Sequence, residues 1–91
     1  MALKDDLQLT TVTSAAHVLL LDGEGVITNM SDLNIDLKFR FDTSTPDKSA
    51  VARTLPGADR DKQSFENTRA DTKIYGIAKN KDVQILVSRE V

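Results

Sequence analysis

Between Asp32 and Asp42 the chain alternates without a break. Leu33, Ile35, Leu37, Phe39 and Phe41 are apolar, and Asp32, Asn34, Asp36, Lys38, Arg40 and Asp42 fill the gaps. Successive side chains of a β-strand point to opposite faces, so a strand over 33–42 places five large apolar groups on one side and the polar groups on the other. A sheet with one wet face is the ordinary state of an antiparallel sheet. This stretch commits the chain to a β fold more firmly than any other.

The remaining elements are read around it. Residues 6–13 alternate in part and are rich in Thr and Val, which predicts a strand. Val18-Leu19-Leu20-Leu21 is apolar on both faces, and periodicity alone does not separate strand from helix there. Asp22-Gly23-Glu24-Gly25 follows as a turn signal, with Val26-Ile27-Thr28 beyond it, so a hairpin with strands near 16–21 and 26–29 is expected. Thr43-Ser44-Thr45-Pro46-Asp47 ends the strong strand, because Pro46 has no backbone donor and its neighbours favour turns.

A second hairpin is expected at the C-terminal end, where 72–78 and 83–88 flank Lys79-Asn80-Lys81-Asp82. A tight turn at Asn80-Lys81 gathers Ile74, Gly76, Ala78, Val83, Ile85 and Val87 on one face. The other face carries Tyr75, Ile77 and Leu86 with Gln84, too apolar for plain exposure. Either another layer of this chain or another subunit must cover it. Gly76 costs packing and backbone entropy in mid-strand. Room for Ile85 across the ladder is the favoured reason, ahead of close approach by a neighbouring chain.

The thirty residues 43–72 hold few apolar anchors: Val51, Leu55, Phe65 and some Ala. Loops this long are uncommon in compact domains. The expectation is a long polar loop or arm with a short strand near 50–55 and a short helix or strand near 63–70. The fold class that follows is all-β: one domain over 1–91, a small antiparallel sandwich or partly open barrel of about six strands with hairpin connections. A short helix within 58–70 is compatible with the pattern.

Composition bounds the function. A chain of 91 residues buries only somewhat over ~60% of its unfolded surface, so its core is thin. With no Cys and one His, disulfides and Cys-based zinc sites are excluded, and no metal or other cofactor is expected. Oligomerisation is the remaining source of extra stability. Basic and acidic residues number 12 and 14 and are interspersed, which argues against nucleic acid as the main partner. Met1–Asp6 lacks an apolar core, so it is not a signal peptide, and the apolar run 15–21 is too short to span a bilayer. The chain is expected to be soluble and cytoplasmic, without a membrane partner.

No chemical motif emerges. Gly23-Glu24-Gly25 lacks the third Gly and the following helix of a dinucleotide loop. His17 stands beside Ser14 and Asp22, but no nucleophile elbow accompanies it, and a core-edge or interface role is favoured over catalysis. Protonation of His17 in a subunit contact would weaken that contact near neutral pH. The eleven Asp residues include Asp32, Asp36 and Asp42 on the wet strand face, where they serve solubility and ion pairing rather than acid–base chemistry. Asn29-Met30-Ser31 matches the glycosylation pattern and is taken as chance. Phe39 and Phe41 point to the core, leaving few aromatics for stacking on bases or sugars. The chain is not expected to be an enzyme.

In overall character the chain resembles the small β-rich structural proteins of bacteriophage virions, of the capsid decoration or minor capsid type. The features behind the resemblance are a short chain whose Met1-Ala2-Leu3-Lys4 leads straight into a Thr-rich strand and whose last strand runs to Val91. The resemblance carries no diagnostic motif and no functional residue. It implies a repeated, non-catalytic role in a virion assembled in the host cytoplasm, with copies of itself and a larger protein assembly as partners. For that role Leu19, Leu21, Tyr75, Ile77 and Leu86 are the expected interface residues, with Arg53, Leu55 and Phe65 anchoring the long loop. The competing expectation is a monomeric binding module or inhibitor that meets a partner protein through 43–72.

Overall fold

A computed structural model describes residues 3–90. They form β1 (Leu3–Val12), β2 (Val18–Asp22), β3 (Gly25–Asn29), β4 (Leu37–Asp42), β5 (Arg53–Leu55), β6 (Ser64–Asn67), β7 (Lys73–Ala78) and β8 (Val83–Glu90). There is no helix among the described residues, so 58–70 supplies strand β6 instead. The strands make two antiparallel four-stranded sheets, β1-β8-β3-β6 and β2-β7-β4-β5. The inner faces share one core: Val12, Ile27, Val83, Ile85 and Val87 from the first sheet meet Leu20, Leu21, Leu37, Phe39, Leu55, Ile74 and Ala78 from the second. The fold is an all-β sandwich of eight strands rather than six. Val91, where the sequence reading ends the last strand, lies outside the described residues.

The two expected hairpins are not formed. β2 and β3 belong to different sheets, and so do β7 and β8. Each turn carries the chain over the rim of the sandwich, and β7 pairs instead with β2 and β4, while β8 pairs with β1 and β3. The physical reason is core closure. A hairpin of 72–78 with 83–88 would leave its second apolar face uncovered, whereas splitting it gives each sheet a central apolar strand. At the β2–β3 corner Gly23 adopts φ 102°, a left-handed conformation that glycine takes at little cost.

The alternating stretch becomes strand only from Leu37 onward. Ahead of it Asn34 has φ 71°, the Ile35 amide donates to the Asp32 carbonyl at 3.1 Å, and Leu33 is exposed. Gly57 packs against this turn so closely that a Cβ there would lie 2.1 Å from the Asp32 carbonyl oxygen and 2.5 Å from that of Ile35. Within β4 the alternation holds, with Leu37 and Phe39 buried. Phe39 and Phe41 reach across the sandwich to Phe65 of β6, ring centroids 4.9 and 5.7 Å away.

A bulge resolves the two-sided apolarity of β2. Leu19 pairs with Tyr75 and Leu21 with Ile74, leaving Leu20 as the extra residue. Both Leu20 and Leu21 are thereby buried. The hydrogen on Gly76 is the space that Leu20 fills: a Cβ would come 2.7 Å from Leu20 Cδ1 and 2.9 Å from Leu37 Cδ1. Gly76 thus makes room inside the chain, for Leu20 and Leu37 rather than Ile85.

Two buried asparagines lock the corners. Asn29 Nδ2 donates to the carbonyls of Ile35 and Leu55, and its Oδ1 accepts from the Ser31 amide. An amide so engaged is closed to glycosylation. Asn67 Nδ2 donates to the Gly23 carbonyl at 2.8 Å and its Oδ1 accepts from the Arg69 amide, fastening the β6–β7 connection to the β2–β3 corner.

Candidate assembly interface

Strand register defines the outer face of the first sheet. Leu7, Ser88, Val26 and Glu66 form one row, and Leu9, Leu86, Thr28 and Ser64 the next. The Thr11–Gln84 and Thr28–Ser64 side-chain hydrogen bonds, 3.1 and 2.8 Å, lie on the same face. Its character changes across the sheet. Leu7, Leu9 and Leu86 give the β1 side an apolar patch bounded by Ser88, Thr11 and Gln84, and Ser64 and Glu66 make the β6 side polar. Leu7 is 63% exposed and Leu9 60%.

β1 is also an edge strand. Edge strands present unpaired backbone donors and acceptors, and folds protect them by shortness, bulges, charge or proline. β5 and β6 are three and four residues long, Pro56 follows β5, and β2 carries the bulge. β1 has ten residues; its first half holds Lys4, Asp5 and Asp6 and a break in register between Leu3 and Leu7, and from Leu7 to Val12 it bears no charge and no proline. Gln8, on its inner face, is exposed as well, so this half of β1 extends beyond the second sheet.

The outer face of the second sheet is built differently. Leu19, Tyr75 and Arg40 form one row, and Lys38 adjoins Ile77 in the next. His17, one residue before Val18, whose partner is Gly76, lies beside Ile77 on the opposite flank. Tyr75, Ile77 and His17 are buried, because the connection between β4 and β5 folds back over them. Arg40 Nη1 donates to the Val51 carbonyl at 3.0 Å, and Lys48 lines a cleft with Ile77. Burial pushes the His17 pKa below its ordinary value and the Arg40 charge acts the same way, against the opposing influence of the Asp47 backbone and Asp42. Neither His17 nitrogen has a hydrogen-bond partner of good geometry. Arg40 Nε stands 3.4 Å from Asp42 Oδ2 as an ion pair.

The residues expected at an interface therefore separate. Leu21 and Leu55 belong to the core, and Phe65 packs against it. Tyr75 and Ile77 are covered by the chain's own loop. These five are occupied within the chain and are not free for a partner. Leu86 lies on the opposite side of the molecule from Tyr75 and Ile77, half-buried on the first sheet. Leu19 remains exposed at the β2 edge, and Arg53 is exposed on β5 with its guanidinium 5.7 Å from the centre of the Phe41 ring. Leu7 and Leu9 were readable as alternating apolar residues, but that they would stand uncovered was not, since coverage depends on which strands share a sheet. Among the described residues no three His, Asp or Glu side chains cluster to hold a metal ion, and no helix is long and apolar enough to cross a membrane. Comparison with protein-family models, curated proteins and solved structures finds no match.

Proposed function

We propose that this chain is a non-enzymatic structural subunit that assembles with copies of itself through β1 and the apolar half of the first sheet's outer face. The supporting observation is the coincidence of an edge segment without charge or proline, Leu7–Val12, with Leu7, Leu9 and Leu86 on its outer side. The uncharged segment Leu7–Val12 meets its own copy without like-charge repulsion, and antiparallel pairing about a two-fold axis lets the same residues serve both partners. The larger assembly in which such a subunit would work is a phage virion by the sequence resemblance, and that part of the proposal rests on the resemblance alone.

A second reading has one observation in its favour. Val51, in the β4–β5 connection, is 89% exposed, next to Arg40, Phe41 and Arg53 around a shallow pocket. That is the arrangement of a loop that offers an apolar tip to a different protein.

Light scattering behind a sizing column separates the two. The assembly reading expects a dimer or larger species at micromolar concentration that becomes a folded monomer in the double variant Leu9→Lys, Leu86→Asp. A wild-type chain that stays monomeric would overturn it and leave the Val51 loop as the surface to pursue.

A further inference from the structure

We propose that the cleft over Ile77, on the outer face of the second sheet, is a binding site for a small phosphate-type oxyanion. Ser14, Lys38, Lys48, Ile77, Ala78 and Lys79 line it, around a volume of about 280 Å³. The three lysines come from three parts of the chain: β4, the connection that folds back over the sheet, and the residue after β7. None of them has an acidic partner within ion-pair distance among the described residues, where the ion pairs are Arg40–Asp42 and Lys62–Asp32. Three unpaired ammonium groups around one cleft repel one another, and in a chain of net charge −2 this local excess of positive charge is not a consequence of overall composition.

The surroundings favour an anion further. Ile77 and Ala78 give the cleft an apolar floor, which strengthens charge interactions above it. Ser14 adds a hydroxyl donor. His17 borders the same floor residue from the other flank, and its buried ring meets the Asp47 backbone. The acids around the cleft are Asp36, whose carbonyl accepts from the Lys79 amide and whose carboxylate accepts from the Gly57 amide at 3.2 Å, Asp47 beside Lys48, and Asp42, which pairs with Arg40; none is within ion-pair distance of a cleft lysine. A tetrahedral oxyanion with several acceptor oxygens can bridge ammonium groups that no single carboxylate of this chain reaches.

The site lies on the opposite face from the proposed assembly surface, so the two proposals fail independently. The test is an amide NMR titration of the full chain with inorganic phosphate, ionic strength held constant with sodium chloride. The expected result is a saturable shift of the Ser14, Lys48, Ala78 and Lys79 amides, with Kd roughly millimolar or tighter. Lys48→Gln and Lys79→Gln, both exposed and tolerated by the fold, should each weaken binding by about two- to fivefold, and Leu9→Lys should leave it unchanged. Shifts that never saturate, that chloride alone reproduces, or that survive both lysine substitutions would overturn the proposal.

Discussion

The outer faces of the two sheets carry comparable apolar cargo and treat it in opposite ways. On the second sheet Tyr75 and Ile77 each have one charged neighbour, Arg40 and Lys38, and are sealed by the β4–β5 connection. On the first sheet Leu7 and Leu9 stand open beside Leu86 and Val26, and no segment among the described residues returns to cover them. The difference lies in the connections, not in the strands. A long link joins β4 to β5 and has length to spare for folding back, whereas the turns flanking β8 and β3 are spent crossing the rim. The strap finishes one face internally, and the other is left open.

The sharpest way to break this contrast is to put a charge on each face in turn. Ile77→Asp places a carboxylate under the strap and should cost roughly 3 kcal/mol or more, enough to unfold a small domain in part, as read by urea denaturation. Leu86→Asp faces the open side and should cost less than about 1 kcal/mol while abolishing assembly. Equal losses of stability would mean that the two faces are covered alike.

The strap itself depends on the corners being fixed. Asn29→Ala leaves the Ile35 and Leu55 carbonyls and the Ser31 amide without their partner, and should cost about 2 kcal/mol in the same denaturation experiment. A neutral result would show that the loop ends are held by packing alone.

The smallest effect concerns His17 under the strap. Its folded pKa is depressed, so the unfolded chain binds the proton more readily. Its contribution is fully present above the ordinary value near 6.5 and is lost as pH falls from there through the lower folded value. Stability measured at descending pH should drop over that interval and then level off. His17→Leu should remove the drop, because the ring that takes up the proton on unfolding is gone. A pH profile unchanged by the substitution would place the ring in water and the strap elsewhere.

How much of this was legible in the sequence varies by residue. Phe39 and Phe41 read as inward-facing and are, because strand alternation is local stereochemistry. Leu33 and Ile35 obey the same alternation, yet lie in a turn held by Asn34 and by Gly57 from twenty residues on. Val18–Leu21 gave no clear facing, since a bulge is decided by what the partner strand offers, here Gly76. Leu21, Leu55, Tyr75 and Ile77 were expected at an interface, and the chain covers them itself. Leu86, expected on one face with Tyr75 and Ile77, lies on the other sheet opposite Leu9, while Leu19 and Arg53 stay exposed.

Local residue patterns were enough to read the chain as all-β, to place most of its strands roughly, and to tell which side chains of β4 face inward. Those properties follow from backbone geometry with a period of two and from the conformational limits of Pro and Gly. Only the tertiary structure decided which strands share a sheet, where the chain crosses the rim, and which apolar face is left uncovered. Such choices depend on burying surface between residues far apart in the chain, and no local pattern of residues encodes that energy.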